Sequence, residues 1–254
     1  MTTIEETDVT GLPGRTTREQ LEQDRPRTRF AKEPVLILDG SGSEAENADP
    51  EGTITKTELI CGIIGQLVPV MEGDDAEAAA EQASGQAGRG GCRAFVGNVP
   101  DPIVFAEGED ESDDPRDLGD INSLNLAAKQ DAFRAQVALR ARTYIRPAFE
   151  AAKHAFDAEF PGDKGKDRAL EIVFLNDGKL DDEKLVEQWV AEHAGPRCLV
   201  CVVVVGHGPG HDAAVAAWNK IAAGNKYLAV DAVTGVADAQ EVAFDVQFMA
   251  GLAE

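Results

Sequence analysis

Consecutive apolar residues break the polarity of the chain at three places, Val35 to Leu38, Leu170 to Leu175 and Leu199 to Val205. Runs with no polar face read as strands buried on both sides, as in the middle of a parallel sheet. Cys92 to Val96 and Ile103 to Ala106 are two shorter strand patterns, separated by a Gly- and Pro-rich turn, and Tyr227 to Val230 is another. Between the strands, apolar positions recur every third or fourth residue. Thr55-Lys-Thr-Glu58 has the form of a capping box, and Ile60, Ile63, Ile64 and Leu67 continue it as a helical stripe. A second helix runs through Phe133 and Val137. A third opens at Thr143 and carries Ile145, Phe149, Ala152, Phe156 and Phe160, with Pro147 tolerated in its first turn. Asp181 or Asp182 caps a fourth, whose buried side would hold Leu185, Val186 and Trp189, and a fifth carries Val215, Trp218 and Ile221. Residues 238–252 would form a last helix or a tail packed on the sheet. Alternating apolar strands and amphipathic helices predict an α/β fold, doubly wound, with helices on both faces of the sheet.

The remaining segments change this picture at its margins. Residues 1–33 have few apolar positions, breaks at Leu12-Pro13-Gly14 and Asp24-Arg-Pro26, and six basic residues from Arg15 to Lys32, so an N-terminal arm, partly disordered, is expected before a body at 34–254. Acid- and Gly-rich stretches near 72–91 and 107–125 read as solvated surface insertions, the first as a mobile loop. The chain of 254 residues is 43% hydrophobic, enough for a sizeable core, and no apolar run approaches the ~20 residues of a membrane span. A formal net charge of −22 disfavours nucleic acid and anionic membranes as partners. The first residues lack a basic-then-apolar leader pattern, and the expected location is cytoplasmic. Cys198 and Cys201 lie three apart within a strand, where side chains point to opposite faces and cannot chelate together.

The chemistry concentrates where the first strand ends, in Asp39-Gly-Ser41-Gly-Ser43. Glycines allow a tight turn, so an acid and two hydroxyls can converge on one point. Oxygen-only donors suit a hard cation such as Mg²⁺ or Mn²⁺ better than zinc. In open α/β sheets, ligands bind outside the carboxyl ends of the strands, which is where this turn falls. Asp-x-Ser-x-Ser after a buried strand resembles the metal-ion-dependent adhesion site (MIDAS) of von Willebrand factor type A (vWA) domains. That family also has a Thr before a later helix and an Asp closing the fourth strand. Thr143 in Arg142-Thr143-Tyr-Ile-Arg and Asp177 in Phe174-Leu-Asn176-Asp177-Gly178 match in order and context. Asn176 stands where the family usually has Thr, and Glu44 where it commonly has Met. The resemblance spans about Pro34 to the C-terminus and is nearest to the bacterial stand-alone type. It implies a mostly parallel six-stranded sheet with one antiparallel edge strand, placed here at Ile103 to Ala106. It also implies a Mg²⁺ (or Mn²⁺) ion held directly by Ser41, Ser43 and Thr143, and through water by Asp39 and Asp177. An open position on the ion would then take an acidic side chain from a protein partner. Metal-dependent self-association follows if a second copy supplies that acid.

Two other chemistries have partial signals in the sequence. Gly206-His207-Gly208-Pro209-Gly210-His211 lies between a strand and a helix but is not Gly-x-Gly-x-x-Gly, so it reads as a tight turn with His207 and His211 on the rim. A metal-dependent hydrolase acting on a phosphate or ester is the alternative function. Ser41 has no Gly-x-Ser-x-Gly elbow and Asp39 no second Asp two residues on, so no general base or nucleophile motif is present and a non-enzymatic binding module is preferred.

Overall fold

The computed structural model describes residues 31–41, 43, 46–81, 92–97, 115–137, 144–162, 168–178 and 180–235. Within them six strands form one sheet: β1 (Ala31–Asp39), β2 (Cys92–Gly97), β3 (Arg116–Ile121), β4 (Arg168–Asn176), β5 (Cys198–Val205) and β6 (Leu228–Val233). Five helices connect or flank them: α1 (Lys56–Glu81), α2 (Leu126–Arg134), α3 (Arg146–Glu159), α4 (Glu183–His193) and α5 (Gly208–Ala222). The strand order is β3-β2-β1-β4-β5-β6. β1 pairs in parallel with β2 on one side and β4 on the other, and β4 with β5 and β5 with β6 continue in parallel. Strand order therefore reverses between β1 and β4, the switch point that opens a crevice at the carboxyl ends of an open α/β sheet.

The apolar runs lack a polar face because both faces are covered. On β1, Leu36 and Leu38 join a core with Ile60, Ile63, Ile64 and Leu67 of α1 and Phe133 of α2. Val35 and Ile37 point the other way, into a core with Phe149 of α3, Trp189 of α4 and Trp218 of α5. Along β5 the same parity sends Cys198, Val200, Val202 and Val204 to the second core and Cys201, Val203 and Val205 to the first. The two cysteines thus lie on opposite faces of the sheet, as their spacing requires. Edge-to-face rings, Phe149 with Phe174 at 5.4 Å and with Trp189 at 5.0 Å, tie α3 and α4 to β4.

Four details differ from the sequence reading. Helix α1 does not stop near residue 72 but runs to Glu81, because alanine, the best helix former, dominates residues 76–80 where apolar periodicity fades. Ile103 to Ala106 lies outside the described residues, and the strand antiparallel to β2 is Arg116–Ile121, drawn from the stretch taken for a solvated insertion. An edge strand is half solvated and tolerates charge; Leu118 packs against the first core, Ile121 is buried, and Arg93 pairs with Asp117 across the two strands. Leu185 is 45% exposed, since the buried stripe of α4 is Val186, Trp189 and Val190. The first strand begins at Ala31, and Glu33, buried, forms an ion pair with Arg168 at the start of β4. The stretches 1–30 and 236–254 lie outside the described residues.

Candidate metal centre

The switch point gathers the candidate donors. β1 delivers Asp39 to its carboxyl end, and β4, in register beside it, ends one residue before Asp177. Asp39 is fully buried. Its Oδ1 accepts the backbone N–H of Ser41 at 2.8 Å, while its Oδ2 has no hydrogen-bond partner among the described residues. Ser41 is buried too, and its Oγ lies 2.9 Å from Ser43 Oγ. Burial pushes the Asp39 carboxyl up to about 7; the charge of Asp177 adds to the rise, and the hydrogen bonds from Ser41 and the positive charge of Lys56 oppose it. An orphaned buried carboxylate oxygen is costly unless something completes it. Beside two paired hydroxyls and a second acid, it fits a hard divalent cation.

Asp177 is held by a cation from the chain itself. Lys56, the first residue of α1, places Nζ 3.1 Å from Asp177 Oδ2 and 3.3 Å from Glu46 Oε2. The start of α1 is fixed by a reciprocal capping box, in which Thr55 N–H donates to Glu58 Oε2 at 2.9 Å and Glu58 N–H donates to Thr55 Oγ1 at 3.2 Å. The turn after Asp177 needs glycine. Gly178 has φ +85°, and a Cβ there would lie 2.3 Å from Ala214 Cβ. Asn176, at the family's Thr position, is buried and donates through Nδ2 to the Val203 carbonyl at 3.3 Å, so it secures the strand end.

Of the five expected ligands, Asp39, Ser41, Ser43 and Asp177 come to one end of the sheet. Thr143 lies outside the described residues, as does Glu44. Ile145, two residues after Thr143, is anchored in an unexpected way. Asp182, at the N-cap position of α4, makes no side-chain cap to its own helix. Its Oδ2 instead accepts the N–H groups of Ile145 at 2.9 Å and Arg146 at 2.7 Å, at the start of α3. The loop after Asp177 thereby holds the beginning of the helix that follows Thr143. Among the described residues, no group of three His, Cys, Asp or Glu side chains forms a metal cluster, so the donor set at the switch point depends on hydroxyls. His207 is exposed, as expected of a rim residue. His211 is buried, its Nε2 3.2 Å from the Val204 carbonyl, and belongs to the scaffold. Lys56, Glu46 and Asp182 were not singled out from sequence for these contacts, since their pairing spans 10 to 121 positions and leaves no local signature.

No family model matches the sequence, and the comparison with curated proteins finds no match either. Solved structures do match. The VWA domain of SpRpn10 aligns with TM-score 0.51 at 11% identity, covering 83% of this chain and 93% of that one. Manganese-loaded TRAP protein of Plasmodium vivax aligns with TM-score 0.47 at 13% identity, covering 84% and 72%. Proximal thread matrix protein 1 from the mussel byssus aligns with TM-score 0.45 at 12% identity, covering 86% of this chain and 48% of that one. At such identities the likeness speaks to architecture alone, and only the first of the three, with TM-score 0.51, bears on it. Together with the strand order and the two-sided helical packing, it shows that the chain has the fold of a VWA domain.

Proposed function

We propose that the chain is a cytoplasmic, divalent-metal-dependent protein-binding module. Asp39, Ser41, Ser43, Thr143 and Asp177 would hold one Mg²⁺ or Mn²⁺ ion and present it to an acidic side chain of a partner. The observation that carries this reading is the buried Asp39, with one oxygen spent on Ser41 N–H and the other without a partner among the described residues, at the switch point beside Asp177. A bound ion would supply an electrophilic coordination position for the incoming carboxylate. The chain's own residues do the rest. Ser41 N–H fixes the rotation of the Asp39 carboxyl, the Ser41–Ser43 pair aligns two neutral donors, and Gly178 lets Asp177 turn toward the crevice. Neutral donors leave more of the ion's charge available to a partner than an all-acid shell does. With a net charge of −22, a second copy of this chain is one available source of the acid.

Calorimetric titration of Mg²⁺ and Mn²⁺ tests the site directly. Saturable one-site binding, lost in a folded Asp39→Ala variant, is the expected result. Binding that is absent, or unchanged by the substitution, overturns the reading. Capture of an acidic partner in Mg²⁺ and its release by chelator, with loss in Ser41→Ala, tests the function. Metal-dependent cleavage of a generic phosphate ester would instead favour the hydrolase alternative. Sedimentation in Mg²⁺ and in chelator tests self-association, and identical profiles at high concentration exclude it.

A further inference from the structure

Lys56 puts a positive charge where the proposed ion would act. Its ammonium touches Asp177 at 3.1 Å and Glu46 at 3.3 Å, and the two carboxylates differ sharply, with the Asp177 side chain 6% exposed and that of Glu46 71% exposed. The lysine side chain itself is 12% exposed, so it lies in the crevice and not out in solvent. It passes over Gly206, where a Cβ would lie 3.4 Å from Lys56 Cε; the residue has φ +125° and no side chain to block the path. The backbone under Lys56 cannot retreat, because the capping box fixes it and Leu59, Ile60 and Ile63 bury the next turn in the core. Only the side chain can move, and the exposed Glu46, already 3.3 Å away, can keep the ammonium when Asp177 is given up.

We propose that Lys56 is a tethered cation that bridges Asp177 and Glu46 in the metal-free protein and must yield Asp177, staying on Glu46 alone, when a divalent ion binds. The inference rests on the metal-binding reading above and adds a control on it. A buried carboxylate beside Asp39 is costly without a counter-charge. The ammonium supplies that charge when no ion is present, and the same charge repels and competes with an arriving ion. Lys56 thus stabilises the empty site and lowers its affinity, setting the ion concentration at which the module switches on. The chain needs no outside regulator for this step.

The test uses the full chain, with Mg²⁺ and Mn²⁺ titrated by calorimetry into wild type, Lys56→Met and Glu46→Gln, and melting measured in Mg²⁺ and in EDTA. Lys56→Met is expected to bind the ion about tenfold or more tighter, from removal of one unit charge within the crevice. It should melt lower than wild type in EDTA and gain more from Mg²⁺. Glu46→Gln, a change at an exposed residue that keeps the fold, removes the fallback acceptor and should weaken binding a few-fold. Binding to Lys56→Met but not to wild type would also support the proposal, as the case in which the lysine wins outright. Affinity unchanged or weakened in Lys56→Met, with the same loss of melting temperature in Mg²⁺ and EDTA, makes Lys56 a structural ion pair and overturns it. Affinity unchanged in Glu46→Gln removes Glu46 as the group that holds the displaced lysine. Absence of binding in all three overturns the metal site itself, and the competition with it.

Discussion

Replacing Asp182 by Ala isolates the contact that joins two loops at the candidate site. In the native protein Asp182 is 6% exposed and its carboxylate accepts two backbone N–H groups, from Ile145 at 2.9 Å and Arg146 at 2.7 Å. Both donors lie at the start of α3, where a helix has N–H groups without intrahelical partners. Hydrogen bonds to a charged acceptor contribute about 1.5–3 kcal/mol each, and truncating a helix cap costs about 0.5–2 kcal/mol. Ile145 is fully buried, so water cannot readily replace the lost acceptor at its N–H. Part of this loss is offset because the variant no longer desolvates a carboxylate. The net expectation is a destabilisation of about 2–4 kcal/mol for Asp182→Ala, and about half of that for Asp182→Asn, which keeps one carbonyl acceptor. Urea unfolding of the full chain, followed by fluorescence of Trp189 and Trp218, gives the midpoint and slope. Glu187→Ala, a change at an exposed position of α4, serves as the control and should stay within about 0.5 kcal/mol of wild type. An Asp182→Ala midpoint indistinguishable from that control would refute the reasoning, since the two N–H groups would then have found other acceptors at no cost.

Three further outcomes follow from the same geometry. Gly178→Ala puts a methyl 2.3 Å from Ala214 Cβ at a residue with φ +85°; overpacking and a left-handed backbone together should cost about 3 kcal/mol, read as a lowered urea midpoint. Phe149→Ala removes the ring that meets both Phe174 and Trp189 and should cost about 3–5 kcal/mol by the same assay, with a blunted near-ultraviolet dichroism signal from the aromatic cluster. Asp39 holds its proton up to about pH 7 in the folded protein, whereas its ordinary value is 3.8. Between those values the native state binds the proton more tightly than the unfolded chain does, so stability falls as pH rises through the window. In chelator, the midpoint should drop between pH 4 and pH 7 by more in wild type than in Asp39→Asn, which is neutral throughout; equal drops would show that the carboxyl titrates normally.

What could be read before the fold was known follows from how locally each feature is written. The strands of the switch point were legible because burial on both faces forces an unbroken apolar run, and the parity of Cys198 and Cys201 followed from strand geometry alone. The capping box of α1 was equally legible, because its two hydrogen bonds span three residues. Asp39, Ser41 and Ser43 lie within five positions and announce themselves. The edge strand was misplaced for the complementary reason. Arg116–Ile121 has one buried residue in six, and a half-solvated strand carrying Arg and Asp has the composition of a loop. The end of α1 was misjudged because a sequence rich in Ala and acid carries helix propensity without an apolar stripe.

The electrostatics of the site are the least legible part, and the reason is physical. Lys56 lies 121 positions from Asp177, and Asp182 lies 37 from Ile145. No periodicity links such pairs; the sheet order does. Once β4 takes its place beside β1, Asp177 arrives next to the start of α1, and any basic residue there must either pair with it or turn away. A sequence reading that finds oxygen donors therefore overstates how ready the site is for an ion, because it counts the acids and not the cation the fold delivers to them. Asp39 and Asp177 alone would make an open, strongly attractive crevice. With Lys56 between Asp177 and Glu46, the proposed site would be one where an arriving ion competes with a cation of the chain itself, and its occupancy would depend on how much divalent ion surrounds it.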